Sequence, residues 1–64
     1  SQLEAAADSY RSALVLKPNF AQGHYNLGLV LIQQDKMPEA RRHIQRAAAA
    51  GILPSPEVTE LLQF

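Results

Sequence analysis

The side chains of this 64-residue chain that could do acid–base or metal chemistry are two histidines, His24 and His43, and six dispersed carboxylates, among them Glu4, Asp8, Glu39, Glu57 and Glu60. A protein metal centre wants three or four converging ligands. Two histidines in a chain without cysteine do not supply them, so no metal site is expected. The carboxylates have no Ser, His or Lys partner at a spacing that would activate a nucleophile or tune a proton donor. No glycine-rich loop is present to cradle a phosphate. These residues predict a protein that is not an enzyme and needs no cofactor. Arg41, Arg42, His43 and Arg46 form a basic cluster. It reads as a solvated face whose arginines pair with Glu39 or Asp8. Without interleaved aromatic residues it is no platform for single-stranded nucleic acid.

The elements that must position these side chains are helical. Leu3, Ala6, Ala7, Tyr10, Ala13 and Leu14 recur at helical spacing from about Gln2 to Lys17. Pro18 pushes Lys17 out of the helical region and ends that segment. Asn19 offers a side-chain cap for a second segment, from Phe20 or Ala21 to Gln34. There Leu27, Gly28 and Leu31 form a packing stripe. A glycine inside a helix costs roughly 1 kcal/mol relative to alanine, so Gly28 predicts the close approach of a neighbouring helix. Tyr25, Leu29 and Ile32 lie off that stripe, which makes the segment apolar on two sides and in need of two partners.

Asp35-Lys36 reads as a turn. Pro38 in the first turn and Glu39 behind it start a third helix, Pro38 to about Ala50, with Met37, Ala40, Ile44, Ala47 and Ala48 facing inward. Gly51 can end it in a left-handed cap. Ser55-Pro56-Glu57 repeats the start signal for a short helix to about Gln63 that carries Val58, Leu61 and Leu62 over the end of the stack.

Two stretches of the chain repeat one pattern 34 residues apart. Leu3-Glu4-Ala5-Ala6-Ala7 lies over Met37-Pro38-Glu39-Ala40-Arg41, and Tyr10-Arg11-Ser12-Ala13-Leu14 over Ile44-Gln45-Arg46-Ala47-Ala48. A fixed period of this length marks stacked helical repeats, in which each unit buries its apolar face on the next. The pattern resembles the tetratricopeptide repeat. Leu27-Gly28 matches the Leu-Gly pair of that family, and Leu31 its aromatic slot. Ala40, Ile44 and Ala47 match its Ala, aromatic and Ala, while Ala6, Tyr10, Ala13 and Pro18 match the same run in the first half-unit, 34 residues earlier. His24 stands in for the family's Trp, Asp35 for its turn Gly and Met37 for the following aromatic. Ile52 occupies the place of the terminal Pro, which predicts that the array stops there.

The resemblance implies an all-α, antiparallel helix-turn-helix stack of four helices. Residues 1–20 would be the second helix of a preceding repeat, 21–54 one complete unit and 55–64 a C-terminal capping helix. It also implies a groove that holds a partner peptide, lined here by Gln22, Tyr25, Asn26, Leu29, Ile32 and Gln33. Asn26 can offer a peptide backbone both a donor and an acceptor. Tyr25, Leu29 and Ile32 would bury an apolar side chain beside it, unless they pack on the fourth helix or a neighbouring unit. Gln22 replaces the Lys of family members that clamp a C-terminal carboxylate, so such a clamp is not expected.

Composition sets the remaining limits. Six Lys plus Arg balance six Asp plus Glu, which argues against duplex DNA or an anionic membrane as partner. The apolar run Leu27 to Ile32 is too short to span a bilayer. No cysteine framework or leader signals export, so a cytoplasmic home is expected, with a periplasmic or secreted one left open. A chain that begins inside its own apolar pattern reads as part of something longer. The expected function is a protein–protein interaction module. The alternatives are a structural cap or self-association element, a homo-oligomer formed through Leu3, Tyr10 and Leu14, or the recognition region of a larger enzyme such as a glycosyltransferase.

Overall fold

The computed structural model describes all residues, Ser1–Phe64. Four helices follow one another without a strand: α1 (Gln2–Leu16), α2 (Ala21–Gln33), α3 (Met37–Ala49) and α4 (Pro56–Leu62). α2 lies between α1 and α3, and α4 lies against α3, away from α2. This is the expected all-α stack, with every helix end within a residue or two of its sequence-based position.

Local chemistry explains the boundaries. Ser1 Oγ accepts from the Glu4 N–H at 3.2 Å and starts α1. Ser55 Oγ accepts from the Val58 N–H at 3.3 Å and starts α4. Both satisfy an amide that the helix itself leaves unpaired. Three helices end in the same way, with a residue of positive φ followed by an amide that reaches back to the last turn. After α2 it is Asp35 (φ 61°), with the Lys36 N–H on the Leu31 carbonyl at 2.8 Å. After α3 it is Gly51 (φ 99°), with the Ile52 N–H on the Ala47 carbonyl at 2.9 Å. After α4 it is Gln63 (φ 59°), with the Phe64 N–H on Thr59 at 3.2 Å.

One expected cap is absent. Asn19 does not cap α2; Phe20 occupies that position and makes no side-chain cap bond. Packing takes over the task. The Phe20 ring lies over Gly23 beside Leu14, so close that a β-carbon on Gly23 would stand 2.8 Å from Phe20 Cδ2 and 3.2 Å from Leu14 Cδ2. The ring fixes the entry of the chain into α2, and the turn is closed by the Phe20 N–H on the Lys17 carbonyl at 3.0 Å.

The core joins Ala7, Leu27, Leu31, Ala40, Ile44, Val58 and Leu62. Gly28 has the reason expected of it. A β-carbon there would stand 2.5 Å from Ile44 Cδ1 and 2.7 Å from Ile44 Cγ1, with the Ala40 carbonyl oxygen at 3.4 Å. The fully buried small residues Ala40 and Ala47 complete the close approach of α2 and α3. On α1 the expected face is only partly covered. Ala7 is buried, while Leu3, Ala6, Tyr10, Ala13 and Leu14 are half-buried. Tyr10 and Leu14 pack against the core. The widely exposed apolar residues of α1 are instead Val15 and Leu16, 79% and 83% accessible. On α3, Ala48 and Met37 are half-buried rather than interior.

The basic cluster is also corrected. Arg11 of α1, not an arginine of α3, holds Glu39, at 3.0 Å, and approaches Asp8 at 3.6 Å. Arg41 turns to α4, donating from Nε and Nη2 to the Leu62 carbonyl at 3.0 and 2.6 Å, with its guanidinium 6.0 Å from the Phe64 ring centre. A helix end leaves its last carbonyls unpaired, and a cationic donor there both bonds them and opposes their negative dipole. Charge thus fastens α4 to α3 and α1 to α3.

Candidate functional site

α2 carries two faces with different fates. Toward α1 and α3 it buries Gly23, His24, Leu27, Gly28 and Leu31. Away from them run Gln22 and Gln33, exposed, and Tyr25, Asn26, Leu29 and Ile32, half-buried. All six candidate binding residues therefore share this one helix, and helical periodicity gathers them along its open side. Leu29 and Ile32 rest against the margin of the core. The backbone of α4 approaches α3 rather than α2.

The amides on this face are organised. Gln22 Nε2 donates to Asn26 Oδ1 at 2.9 Å, one helical turn along. Each amide owns one carbonyl acceptor and two N–H donors, so the bond spends one of each and leaves three donors, one on Gln22 and two on Asn26, with the Gln22 oxygen as a free acceptor. Exchanging the oxygen and nitrogen of both amides leaves the same inventory. An extended peptide backbone presents the complement, an N–H and a C=O. Tyr25, Leu29 and Ile32 supply an apolar shelf beside it. No charged side chain belongs to the stripe. The stripe is an open face rather than a pocket, for the clefts of the molecule lie elsewhere. One of about 280 Å³ sits among Met37, Arg41 and Leu61 beside α4, and two flank His24 and Arg46 on the far side of α2.

Behind α2 the two histidines meet, although 19 residues separate them in sequence. Their Nδ1 atoms are 2.9 Å apart and their rings are stacked, with centres 5.1 Å apart. His24 Nε2 lies 2.7 Å from the Pro18 carbonyl oxygen. A carbonyl only accepts, so His24 carries its proton on Nε2 and offers Nδ1 as an acceptor, to which the Nδ1–H of His43 donates. His24, in the place of the family's Trp, is packed like an aromatic residue but works as a polar hub. Burial, with His24 beside it, pushes the His43 pKa below the usual imidazole value of 6.5; Arg42 and Arg11 push the same way and Glu39 opposes. The Glu39 carboxyl is held below 4.5, chiefly by the hydrogen bond from Arg11.

Sequence reasoning missed the histidine pair and the anchoring of Leu62 by Arg41. Both join helices whose relative rotation no local pattern reveals. The Gln22–Asn26 bond did have a signal, two amides four residues apart on one helix.

No group of three or more His, Cys, Asp or Glu side chains converges as a metal site would require. No helix is long and apolar enough to cross a membrane. In comparisons with known proteins, a family model described as TPR repeat matches residues 1–35, a stretch that takes in α1, the turn and α2. No curated protein and no solved structure matches the chain.

Proposed function

The chain belongs to the tetratricopeptide-repeat family, and on that premise we propose that it is a non-catalytic protein–protein interaction module that holds an extended partner segment along the open face of α2. One complete repeat runs over residues 21–54, preceded by the second helix of another repeat in 1–20 and followed by a capping helix in 55–64. The observation that carries the reading is the composition of that face. Half-buried Tyr25, Leu29 and Ile32 flank the Gln22–Asn26 amide pair, which keeps donors and an acceptor to spare. A neutral face of this kind suits an uncharged backbone better than a terminal carboxylate, which would meet no cation there.

The test is selection of binding segments from a peptide-display library by the wild-type chain, followed by affinity measurement with Asn26→Ala and Leu29→Ala. Each substitution is expected to weaken binding by about 1–2 kcal/mol, the usual cost of losing a net hydrogen bond or an apolar anchor. Helicity by circular dichroism should stay the same. Unchanged affinity in both variants would refute the mechanism.

Self-association is the second reading, favoured by the exposure of Val15 and Leu16 on α1. Concentration-dependent sedimentation that is abolished by Leu16→Gln would support it. A single monomeric species at all concentrations would exclude it.

A further inference from the structure

The histidine pair behind α2 does something that its role as packing does not require. It lies where three segments meet: the α1–α2 turn through the Pro18 carbonyl, α2 through His24 and α3 through His43. His24 is 6% exposed, whereas His43 is half-buried beside a cleft of about 270 Å³ that Arg11 and Arg46 also line. Two imidazoles alone do not complete a metal centre, and a dication would have these arginines for neighbours. The chemistry that this arrangement fits is proton binding.

The proton inventory is fixed by geometry. His24 Nε2 must carry a proton to satisfy Pro18, and one proton lies between the two Nδ1 atoms. The only vacant position in the pair is Nε2 of His43. One added proton can be held there without breaking a bond. A second has no place, because two Nδ1–H groups would then face each other across 2.9 Å. The charged groups around the pair are Arg11 from α1 and Glu39, Arg42 and Arg46 from α3; the turn contributes a carbonyl, and α4 lies elsewhere. Burial and the neighbouring His24 ring discourage even the first proton on His43, with Arg42 and Arg11 adding to them and Glu39, itself engaged by Arg11, opposing.

We propose that His24 and His43 form a proton-responsive clasp, which locks the α1–α2 turn, α2 and α3 together while neutral and releases them on acidification. The sign follows from linkage. The unfolded chain binds a proton on each histidine as pH falls through the ordinary imidazole range, while the folded pair holds at most one. The unfolded state then carries at least one proton more, so stability falls with falling pH, by up to about tenfold in the folded-to-unfolded ratio per pH unit for each excess proton. Above the imidazole range both states are neutral and the clasp contributes fully.

Two measurements on the full chain test this. Urea unfolding at about pH 7.5 and about pH 5 should show the wild-type ratio falling at least about tenfold on acidification. In His43→Gln, whose amide still donates to His24 Nδ1 but does not titrate, the fall should be several-fold smaller. Imidazole ¹⁵N shifts of the wild type at neutral pH, which need no variant to fold, should report His24 protonated at Nε2 and His43 at Nδ1. Equal acid sensitivity in the two proteins, or a neutral His24 protonated at Nδ1, would overturn the proposal.

Discussion

The two faces of α2 are made of similar residues and are under opposite constraints. The closed face fits its neighbours so tightly that Gly28 leaves no room for a methyl group beside Ile44, and His24 has both ring nitrogens engaged. The open face has comparable apolar content in Tyr25, Leu29 and Ile32, yet these remain half-buried and its amides keep unused valence. A face whose packing and hydrogen bonds are complete specifies a fold. A face with spare apolar surface and spare valence specifies an encounter. Substitutions on the first should therefore be read out as stability, and on the second as binding.

The sharpest break of this contrast is Leu27→Ala. Leu27 is fully buried between the flanking helices, and its truncation should cost about 2–5 kcal/mol. Stability margins are small for a chain of this size, so urea unfolding should find this variant largely unfolded. A loss below 1 kcal/mol would mean that α2 is not the central element of the core.

The two helical glycines of α2 sharpen the comparison further. Gly28→Ala pushes a methyl group against Ile44 Cγ1 as well as Cδ1, and Ile44 is itself fully buried. Overpacking of this kind costs about 1–3 kcal/mol, from which the better helix propensity of alanine recovers at most about 1. Gly23→Ala meets the Phe20 ring, which is 44% exposed and can swing outward. Its steric cost and its propensity gain should offset each other to within about 1 kcal/mol. Comparable losses in the two variants would show that Phe20 is held as firmly as Ile44.

Much of this was legible in the sequence. Gly28 announced a close helix approach, Asp35-Lys36 a turn, Gly51 a left-handed cap and Ser55-Pro56-Glu57 the start of α4, because each signal is a local steric or capping requirement. Asn19 misled, since the contact of the Phe20 ring with Gly23 and Leu14 replaced a side-chain cap, and that depends on where α1 comes to rest. Arg41 misled for a related reason: the residue that takes its cation is the Leu62 carbonyl, 21 positions away, not a carboxylate on a neighbouring turn. The histidine pair needed the rotation of both α2 and α3 to be known. Periodicity set Tyr25, Leu29 and Ile32 apart from the packing stripe and the family resemblance supplied the candidate binding residues, but the bond that orders Gln22 against Asn26 was left unread.

The smallest expected effects on stability belong to the open face. Asn26→Ala and Leu29→Ala should each change the unfolding free energy less than Leu27→Ala does, and for exposed-side changes of this kind about 0.5 kcal/mol is typical. If either destabilises as strongly as the closed-face variants, the open face is structural and the division between the two faces fails.

The most direct test of the division is amide chemical-shift mapping of a display-selected peptide titrated onto the ¹⁵N-labelled chain. The open-face account predicts perturbations concentrated on Gln22, Tyr25, Asn26, Leu29, Ile32 and Gln33. Perturbations centred on Val15 and Leu16 of α1, or on Leu61 and Phe64 beside α4, with the open face of α2 unmoved, would contradict it.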